Sequence, residues 1–176
     1  MTVPTNRRPA QDDLYADAAM AYGGALERLA QAYEPDPDRR RDLLQEIHVA
    51  LWKSFGGYDG RCSGRTWVYR VAHNVAISEV TRRRARTPPL VGIDALESVA
   101  DGFDHEEAFD RQRARERLLG LVRRLQPLDR QVIVLYLEGL DAAAIAEVTG
   151  FSPPNVATKI HRLKKLLAQR FHERAV

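Results

Sequence analysis

The chain has 176 residues, of which 44% are hydrophobic and 29% charged, the composition of a globular protein with one or two small domains. Its single cysteine excludes an internal disulfide framework and argues against a zinc site built on cysteines. No apolar run approaches a membrane span and the N-terminus lacks the apolar core of a leader, so we expect a cytoplasmic protein without membrane insertion. The net charge of +3 is unevenly distributed, since residues 61–86 hold seven arginines whereas residues 87–110 hold seven acidic residues and no lysine or arginine.

The first half of the chain is predicted to form three helices after a disordered polar tail at residues 1–11. An alanine-rich helix is predicted from about residue 12 to 32, and its inward positions are Leu14, Ala18, Leu26 and Leu29. The segment EPDPD then ends this helix, and Asp38 is a candidate cap for a second helix. The apolar side of that helix comprises Leu43, Leu44, Ile47, Leu51 and Phe55. A third helix is predicted over residues 65–86.

The third helix interleaves aromatic and basic residues. Trp67, Tyr69 and Arg70 precede His73 and Asn74, and an arginine cluster follows, comprising Arg82, Arg83, Arg84 and Arg86. Aromatic side chains beside cations hold unpaired bases and their backbone, so this pattern indicates a site for single-stranded nucleic acid. A tryptophan at helical spacing with valines is also typical of a core, and both interpretations of Trp67 stay open. The arginine cluster is predicted to bind phosphates, with a solvated charged face as the alternative.

An acidic linker is predicted over residues 87–110, because this segment is too irregular for a core and too long for a tight connection. It divides an all-α protein into two small units, residues 12–86 and 111–173. The second unit is predicted to begin with a helix over residues 111–125, which breaks at Gln126-Pro127 before LDRQVIVLYLEG. Weak metal binding is one interpretation of Asp104, His105, Glu106 and Glu107, but the acidic linker explains these residues more simply, so we predict no metal site and no cofactor.

Two short helices around a glycine turn follow, in LDAAAIAEVTGFSPPNVATKIHRLKKLLAQRF. Asp141 and Gly150 are predicted to cap the first of them, and Ser152 the second. The second has an apolar stripe formed by Val156, Ile160, Leu163 and Leu167. Its opposite face carries Asn155, Thr158, Lys159, Arg162 and Lys165. These residue types pair with base edges and phosphates, so the segment predicts a helix-turn-helix that reads DNA, with a solvated cationic face as the alternative.

Both halves together resemble a bacterial RNA polymerase sigma factor of the extracytoplasmic-function class. DLLQEIHVALWKSF resembles the polymerase-binding helix of that family, and RTWVYRVAHNVAISEVTRRRAR resembles the helices that open and read the −10 element. LQPLDRQVIVLYLEGLDAAAIAEVTGFSPPNVATKIHRLKKLL resembles the domain that reads the −35 element. The resemblance implies two small helical domains joined by a flexible linker, with core RNA polymerase and promoter DNA as partners and an anti-sigma factor as a further candidate.

The resemblance also implies roles for individual residues. Docking on the polymerase is implied for Asp42, Gln45 and Glu46. Contacts with the −10 element, including an extruded base at Asn74, are implied for Arg61, Arg65, Trp67, Tyr69, Arg70, His73, Asn74, Arg82, Arg83, Arg84 and Arg86. Contacts with the −35 element are implied for Ser152, Asn155, Thr158, Lys159, Arg162 and Lys165. The chain departs from the family pattern at Pro153 and Pro154, so the preferred −35 sequence does not transfer.

Two other interpretations compete with the sigma factor. An autonomous helix-turn-helix regulator would bind duplex DNA by itself as a dimer, but it would not need the aromatic and arginine pattern of the first unit. A polymerase-binding adaptor without promoter opening would not need Trp67, Asn74 and the arginine cluster. The hypothesis that the chain is an enzyme is disfavoured, since the five histidines form no metal-binding pair at helical spacing and no glycine-rich phosphate loop is present. The sequence therefore predicts a sigma factor and not an enzyme.

Overall fold

The computed structural model describes residues 8–86 and 108–173, and every regular element within those ranges is a helix. The first unit comprises α1 (Arg8–Tyr33), α2 (Pro37–Phe55) and α3 (Gly64–Arg86). The second comprises α4 (Ala108–Arg123), α5 (Pro127–Leu137), α6 (Ala142–Thr149) and α7 (Pro153–Glu173). The predicted all-α class is thereby confirmed. Over the same ranges, no helix has both the length and the apolar content needed to cross a membrane.

The start of α1 differs from the prediction. Helix begins at Arg8, so residues 8–11 are not a disordered tail, and the Gln11 side-chain amide donates a hydrogen bond to the Trp52 carbonyl at 2.6 Å. Leu14 was predicted to face inward, but it is 37% exposed. The helix presents Tyr15 to α2 instead, where the Tyr15 hydroxyl lies 3.1 Å from Nδ1 of His48. Residues 1–7 lie outside the described part of the chain.

The cap of α2 is Asp36, two residues before the predicted Asp38. The Asp36 carboxylate accepts a hydrogen bond from the Arg39 backbone N–H at 2.9 Å, and the cap has extended backbone angles of φ −70° and ψ 126°. Pro37 occupies the first helical position, where a missing N–H costs nothing because that donor has no partner within the helix. The prediction of Asp38 as the cap is therefore wrong, and its carboxylate lies in the first turn.

The three helices of the first unit bury one core. On α2 the predicted apolar side is confirmed at Leu43, Ile47, Leu51 and Phe55, while Leu44 is only half-buried. These side chains pack with buried residues of α1 and α3, among them Leu26, Leu29, Val68, Ala72 and Ala76. Each fully buried leucine or isoleucine stabilises the fold by about 1.5–3 kcal/mol relative to an exposed position. Ser63 caps the N-terminus of α3, because its hydroxyl accepts a hydrogen bond from the Thr66 N–H at 3.0 Å.

The helix-turn-helix forms as predicted. The Asp141 carboxylate accepts from the Ala144 N–H at 2.8 Å, and Gly150 ends α6 with φ +79°, a left-handed conformation that glycine adopts at least cost. Within the described residues the Ser152 hydroxyl does not cap α7 as predicted, and the Ser152 carbonyl accepts a backbone hydrogen bond from Val156 at 3.0 Å. The predicted stripe on α7 is confirmed, since Val156, Ile160, Leu163 and Leu167 are all buried.

The boundary of the predicted linker also changes. Residues 108–110 belong to the first turn of α4, which therefore starts earlier than predicted. The rest of the predicted acidic linker, including the quartet at residues 104–107, lies outside the described residues.

The two units pack against each other, which the sequence did not predict. Helix α3 contacts α5 and α6, and α1 contacts α4. At the junction Arg130 of α5 is only 2% exposed, and its guanidinium lies 5.1 Å from the centre of the Tyr33 ring of α1. Arg123 of α4 donates two hydrogen bonds to the Gln31 carbonyl, at 2.7 and 3.1 Å. Both units consequently share one continuous set of buried side chains.

Candidate nucleic-acid interface

The outer face of α7 carries most of the predicted DNA-reading residues. The exposed members are Ser152, Asn155, Thr158, Arg162 and Lys165. They lie opposite the buried stripe because the helix repeats every 3.6 residues. The Thr158 hydroxyl donates to the Pro154 carbonyl at 3.0 Å, which fixes that side chain along the first turns of the helix. The structure thus brings together an exposed face with amide, hydroxyl and cationic groups at the start of the second helix of a helix-turn-helix.

Lys159 differs from the rest of this face. Its side chain is 24% exposed, its ammonium lies 5.4 Å from the centre of the Phe151 ring, and it donates to the Asp129 carboxylate at 2.8 Å. Arg162 donates to the other oxygen of Asp129 at 2.6 Å. Burial raises the pKa of Asp129, but hydrogen bonds from Lys159 and Arg162 and their positive charges outweigh burial and lower that pKa below its usual range.

The predicted polymerase-binding residues share the exposed side of α2. Asp42, Gln45 and Glu46 are all exposed. The same side continues with Val49, which is 45% exposed, and Trp52, which is 40% exposed. Neither was predicted as part of this face, although both fall between the positions of the buried stripe. The result is a face on which exposed apolar side chains, among them an aromatic of the kind enriched at protein interfaces, lie beside polar groups.

Two of the residues predicted to contact the −10 element are buried. His73 has no exposed surface, and the Tyr33 hydroxyl lies 3.0 Å from its Nδ1. Burial lowers the pKa of His73 to about 3, so the imidazole is neutral. Tyr69 is 3% exposed. Neither side chain reaches the surface in this conformation, so neither makes the predicted DNA contact here.

Trp67 takes the core position that the sequence left open. Its ring packs against Tyr58 with centroids 5.2 Å apart, and its indole N–H donates to the Ser54 hydroxyl at 2.9 Å. Both partners come from the first unit, so the indole links α3 to the end of α2 and the loop after it. Because the Trp67 ring is half-buried, the exposed candidates for contact with the −10 element are other residues on and near α3.

The exposed candidates around α3 are Arg61, Arg65, Asn74 and Arg82, and Arg70 is half-buried. Asn74 and Arg82 line a cleft of about 310 Å³ between α2 and α3, which Glu46 also lines. The cleft therefore joins the predicted −10 residues to the predicted polymerase-binding face. Within a largely apolar lining, Asn74 and Arg82 supply groups that can form hydrogen bonds with a base edge.

The arginine cluster at the end of α3 is partly engaged within the protein. Arg82 forms an ion pair with Glu79 and lies 3.8 Å from Glu46. Arg83 pairs with Glu34, whose side chain is only 4% exposed, and with Glu79. Arg83 thus compensates a buried carboxylate, which would otherwise be costly. The side chains of Arg84 and Arg86 lie outside the described set.

The second unit covers part of the predicted −10 face. The Thr66 hydroxyl donates to the Glu147 carboxylate at 3.0 Å, and Arg70 donates to the Glu147 carbonyl at 2.6 Å. Glu138 accepts two hydrogen bonds from Arg28, both at 2.7 Å. A cleft of about 730 Å³ beside this contact is lined by Arg61 and Arg70 as well as by Glu147. Oxygens of Glu138 and Glu147 thus accept hydrogen bonds from Arg28, Thr66 and Arg70, so these donors are engaged within the protein in this conformation.

Comparisons with known proteins match both units. The family described as Sigma-70 region 2 matches residues 7–86, and the one described as Sigma-70, region 4 matches residues 115–167. The ECF RNA polymerase sigma factor SigW of Bacillus subtilis (strain 168) is 24% identical over 169 residues, covering 92% of this chain and 90% of that protein. The ECF RNA polymerase sigma-E factor of Escherichia coli (strain K12) is 26% identical over 141 residues, covering 77% of this chain and 69% of that protein.

The fold is also found in a solved structure, described as CnrH in complex with the cytosolic domain of CnrY. CnrH superposes with a TM-score of 0.66 at 19% sequence identity, and the match covers 96% of this chain and 98% of that chain. The shared fold therefore extends along both units rather than over one of them.

Proposed function

The chain belongs to the extracytoplasmic-function class of the sigma-70 family, and we propose that it binds core RNA polymerase and the −10 element through its first unit and the −35 element through its second. Directing promoter-specific transcription initiation is the function of this family, whose partners are core polymerase and promoter DNA. Its members are initiation factors and not catalysts. The proposal accordingly assigns this chain no reaction of its own, and it places the protein in the cytoplasm, where the polymerase works.

The observation that carries the proposal is the exposed face of α7. Asn155, Thr158 and Arg162 lie on one side of a helix that follows a tight, glycine-capped turn, while the other side is buried. Asparagine pairs with adenine, arginine with guanine or phosphate, and threonine with either base edges or a thymine methyl group. Ser152 lies just before α7, where a helix N-terminus attracts phosphate. This face is therefore assigned to the major groove at the −35 element.

The polymerase contact is assigned to the exposed side of α2. Asp42, Gln45 and Glu46 supply the polar groups, and Val49 and Trp52 supply apolar area that would be buried on docking. Partly exposed tryptophans with satisfied indole N–H groups make efficient interface anchors. The Trp52 indole already donates to Asp12 at 2.7 Å, so its ring is held in place before any partner arrives.

The −10 contact is assigned to the exposed residues around α3. Asn74 lines the cleft beside Arg82 and is the candidate for holding an extruded base. Flipping a base costs a few kcal/mol, so hydrogen bonds in such a cleft are needed to offset the lost stacking. Arg61, Arg65 and Arg70 supply charge for the backbone. Because Thr66 and Arg70 contact Glu147 in the present conformation, this role requires the second unit to move away.

An anti-sigma factor is proposed as a regulatory partner. The support is the solved structure of CnrH, which was obtained in complex with the cytosolic domain of CnrY. Purification of the tagged chain from unstressed cells, followed by identification of co-purifying proteins, tests this part of the proposal. Failure to recover a partner other than core polymerase would count against it.

The test of the main proposal is reconstituted transcription on fragmented genomic DNA with core RNA polymerase and the purified chain. We expect discrete 5′ ends that require the wild-type protein. Asn74→Ala should reduce their yield while leaving polymerase binding intact, and Arg162→Ala should weaken initiation at promoters that need the −35 element. Arg124→Ala is the matched control, because Arg124 is an exposed arginine outside all three assigned faces.

The polymerase face has its own test. Val49→Asp is expected to reduce binding to core polymerase about tenfold or more, since it places a charge in an apolar contact. Met20→Asp is the control, because Met20 is 86% exposed on α1 and lies outside the assigned face. Duplex DNA binding by the chain alone, without polymerase-dependent transcripts, would refute the proposal in favour of an autonomous regulator. Polymerase binding without any initiation would instead indicate an adaptor.

A further inference from the structure

Asp129 lies on α5, outside the helix-turn-helix, yet it contacts two residues of the proposed −35 face. One oxygen of its carboxylate accepts from Lys159 at 2.8 Å and the other accepts from Arg162 at 2.6 Å. Lys159 and Arg162 are three residues apart on α7, so one carboxylate between them can engage both at once. Each oxygen has its own donor, and both distances are those of charge-assisted hydrogen bonds.

The environment makes this contact firmer than an ordinary surface ion pair. The side chain of Asp129 is 16% exposed and that of Lys159 is 24% exposed. Exposed pairs are weakened by water and salt, whereas a partly buried carboxylate with two donors keeps most of its attraction. Lys159 also lies against the Phe151 ring, which covers a further side of the ammonium. Lys159 is consequently held against the protein, whereas the side chain of Arg162 is 60% exposed.

The two cations therefore have different uses in DNA binding. Arginine reads guanine through two parallel N–H donors, and this needs a fixed orientation of its planar group. A carboxylate that accepts from one nitrogen of Arg162 restricts rotation of that plane. Lysine carries a mobile charge that binds any phosphate. Pairing with Asp129 makes the Lys159 charge less available for phosphate contacts that are independent of sequence.

We propose that Asp129 is a positioning residue that sets −35 specificity, because it orients Arg162 toward one base pair and withholds Lys159 from phosphates. The inference rests on the proposed function, in which α7 reads the −35 element. It concerns a residue that need not touch DNA at all.

The perturbation is Asp129→Asn, which keeps the size of the side chain and removes its charge. We expect discrimination between a promoter and its variant with one substituted −35 base pair to fall about tenfold, the worth of one well-oriented arginine contact. We also expect the freed Lys159 to steepen the salt dependence of promoter binding, with the slope of log K against log salt changing by about 0.9 for one added phosphate contact.

The experiment uses the full chain with core polymerase, on promoters mapped by the genomic transcription assay, and measures both initiation and binding at several salt concentrations. Asp13→Asn is the matched control, since Asp13 is exposed on α1 and far from α7 in sequence. Asp129→Asn/Lys159→Gln is expected to return the salt slope to the wild-type value while discrimination stays low. Asp129→Glu keeps the charge but moves the oxygens, so it should alter discrimination and leave the salt slope unchanged.

If the wild-type protein initiates transcription but Asp129→Asn changes neither the discrimination nor the salt slope, only the inference about Asp129 fails. Asp129 would then be a structural link between α5 and α7. Loss of all transcription in Asp129→Asn with an unchanged base preference in Asp129→Glu would overturn it as well. If the wild-type protein yields no promoter-specific transcripts, the proposed function itself fails, and the two failures are thereby distinguished.

Discussion

Replacing His73 with glutamine should make the first unit less sensitive to acid. In the folded protein the imidazole is completely buried, and burial lowers its pKa to about 3, from 6.5 in an exposed histidine. The unfolded chain therefore takes up a proton as the pH falls through about 6.5, whereas the folded chain stays neutral until about pH 3. Stability from this residue is fully present above pH 6.5 and is lost progressively as the pH falls toward 3.

The size of the effect follows from the two pKa values. Each pH unit in that window costs about 1.4 kcal/mol, so moving from pH 7 to pH 5 removes about 2 kcal/mol from the free energy of unfolding. The aromatic rings around the imidazole are those of Tyr33 and Tyr69, and the Arg130 guanidinium lies 5.1 Å from the centre of the Tyr33 ring. Burial raises the pKa of Tyr33 above its usual value, so that hydroxyl does not titrate in this range.

Urea unfolding at pH 7 and pH 5, followed by tryptophan fluorescence, measures the effect. Both tryptophans, Trp52 and Trp67, lie in the first unit, so the signal reports the part that contains His73. Glutamine can accept a hydrogen bond from Tyr33 but does not titrate, and the other acid-sensitive groups are common to both proteins. His73→Gln should therefore lose about 2 kcal/mol less than the wild type between the two pH values. Parallel losses in both proteins would refute the argument and show that water reaches the imidazole.

Three further predictions concern the turn, a helix cap and the contact between the units. Gly150→Ala should destabilise the fold by about 1 kcal/mol, measured by urea unfolding, because φ is +79° at this position. Asp36→Ala should lower the midpoint of thermal unfolding by about 3 °C and Asp38→Ala by much less; equal effects would contradict the assignment of the cap. Glu138→Arg places a like charge opposite Arg28, so small-angle X-ray scattering should show a larger radius of gyration. The exchange Arg28→Glu/Glu138→Arg should restore the compact form.

The features that local sequence determines were predicted well. Asp141, Gly150 and the stripe from Val156 to Leu167 form as expected, because caps and helical spacing are set by residues within a few positions. The prediction of Asp38 as the cap of α2 was wrong. Both carboxylates are close enough to the start of the helix to cap it, and the preference of Pro37 for the first helical position favours Asp36.

The features that depend on distant residues were not predictable in the same way. His73 is polar and follows aromatic and basic residues, which suggests a surface, but a hydroxyl 40 residues earlier gives it a buried partner. The partners Asp129 and Lys159 are 30 residues apart in the sequence, and Thr66 and Glu147 are 81 residues apart. Such contacts depend on how helices pack, and residue spacing along one helix carries no information about them.

The contact between Thr66 and Glu147 holds the two units together and so limits how far apart they can bind DNA in this conformation. The −10 and −35 elements lie about 25 base pairs apart, or about 85 Å along the DNA axis at 3.4 Å per base pair. Units that touch at α3 and α6 cannot reach both elements together, so the promoter-bound chain must be a different conformation. The 21 residues from 87 to 107 connect the units and could extend to about 75 Å at most. In the proposed function, core polymerase binds both units and therefore sets the separation at which they meet the two elements.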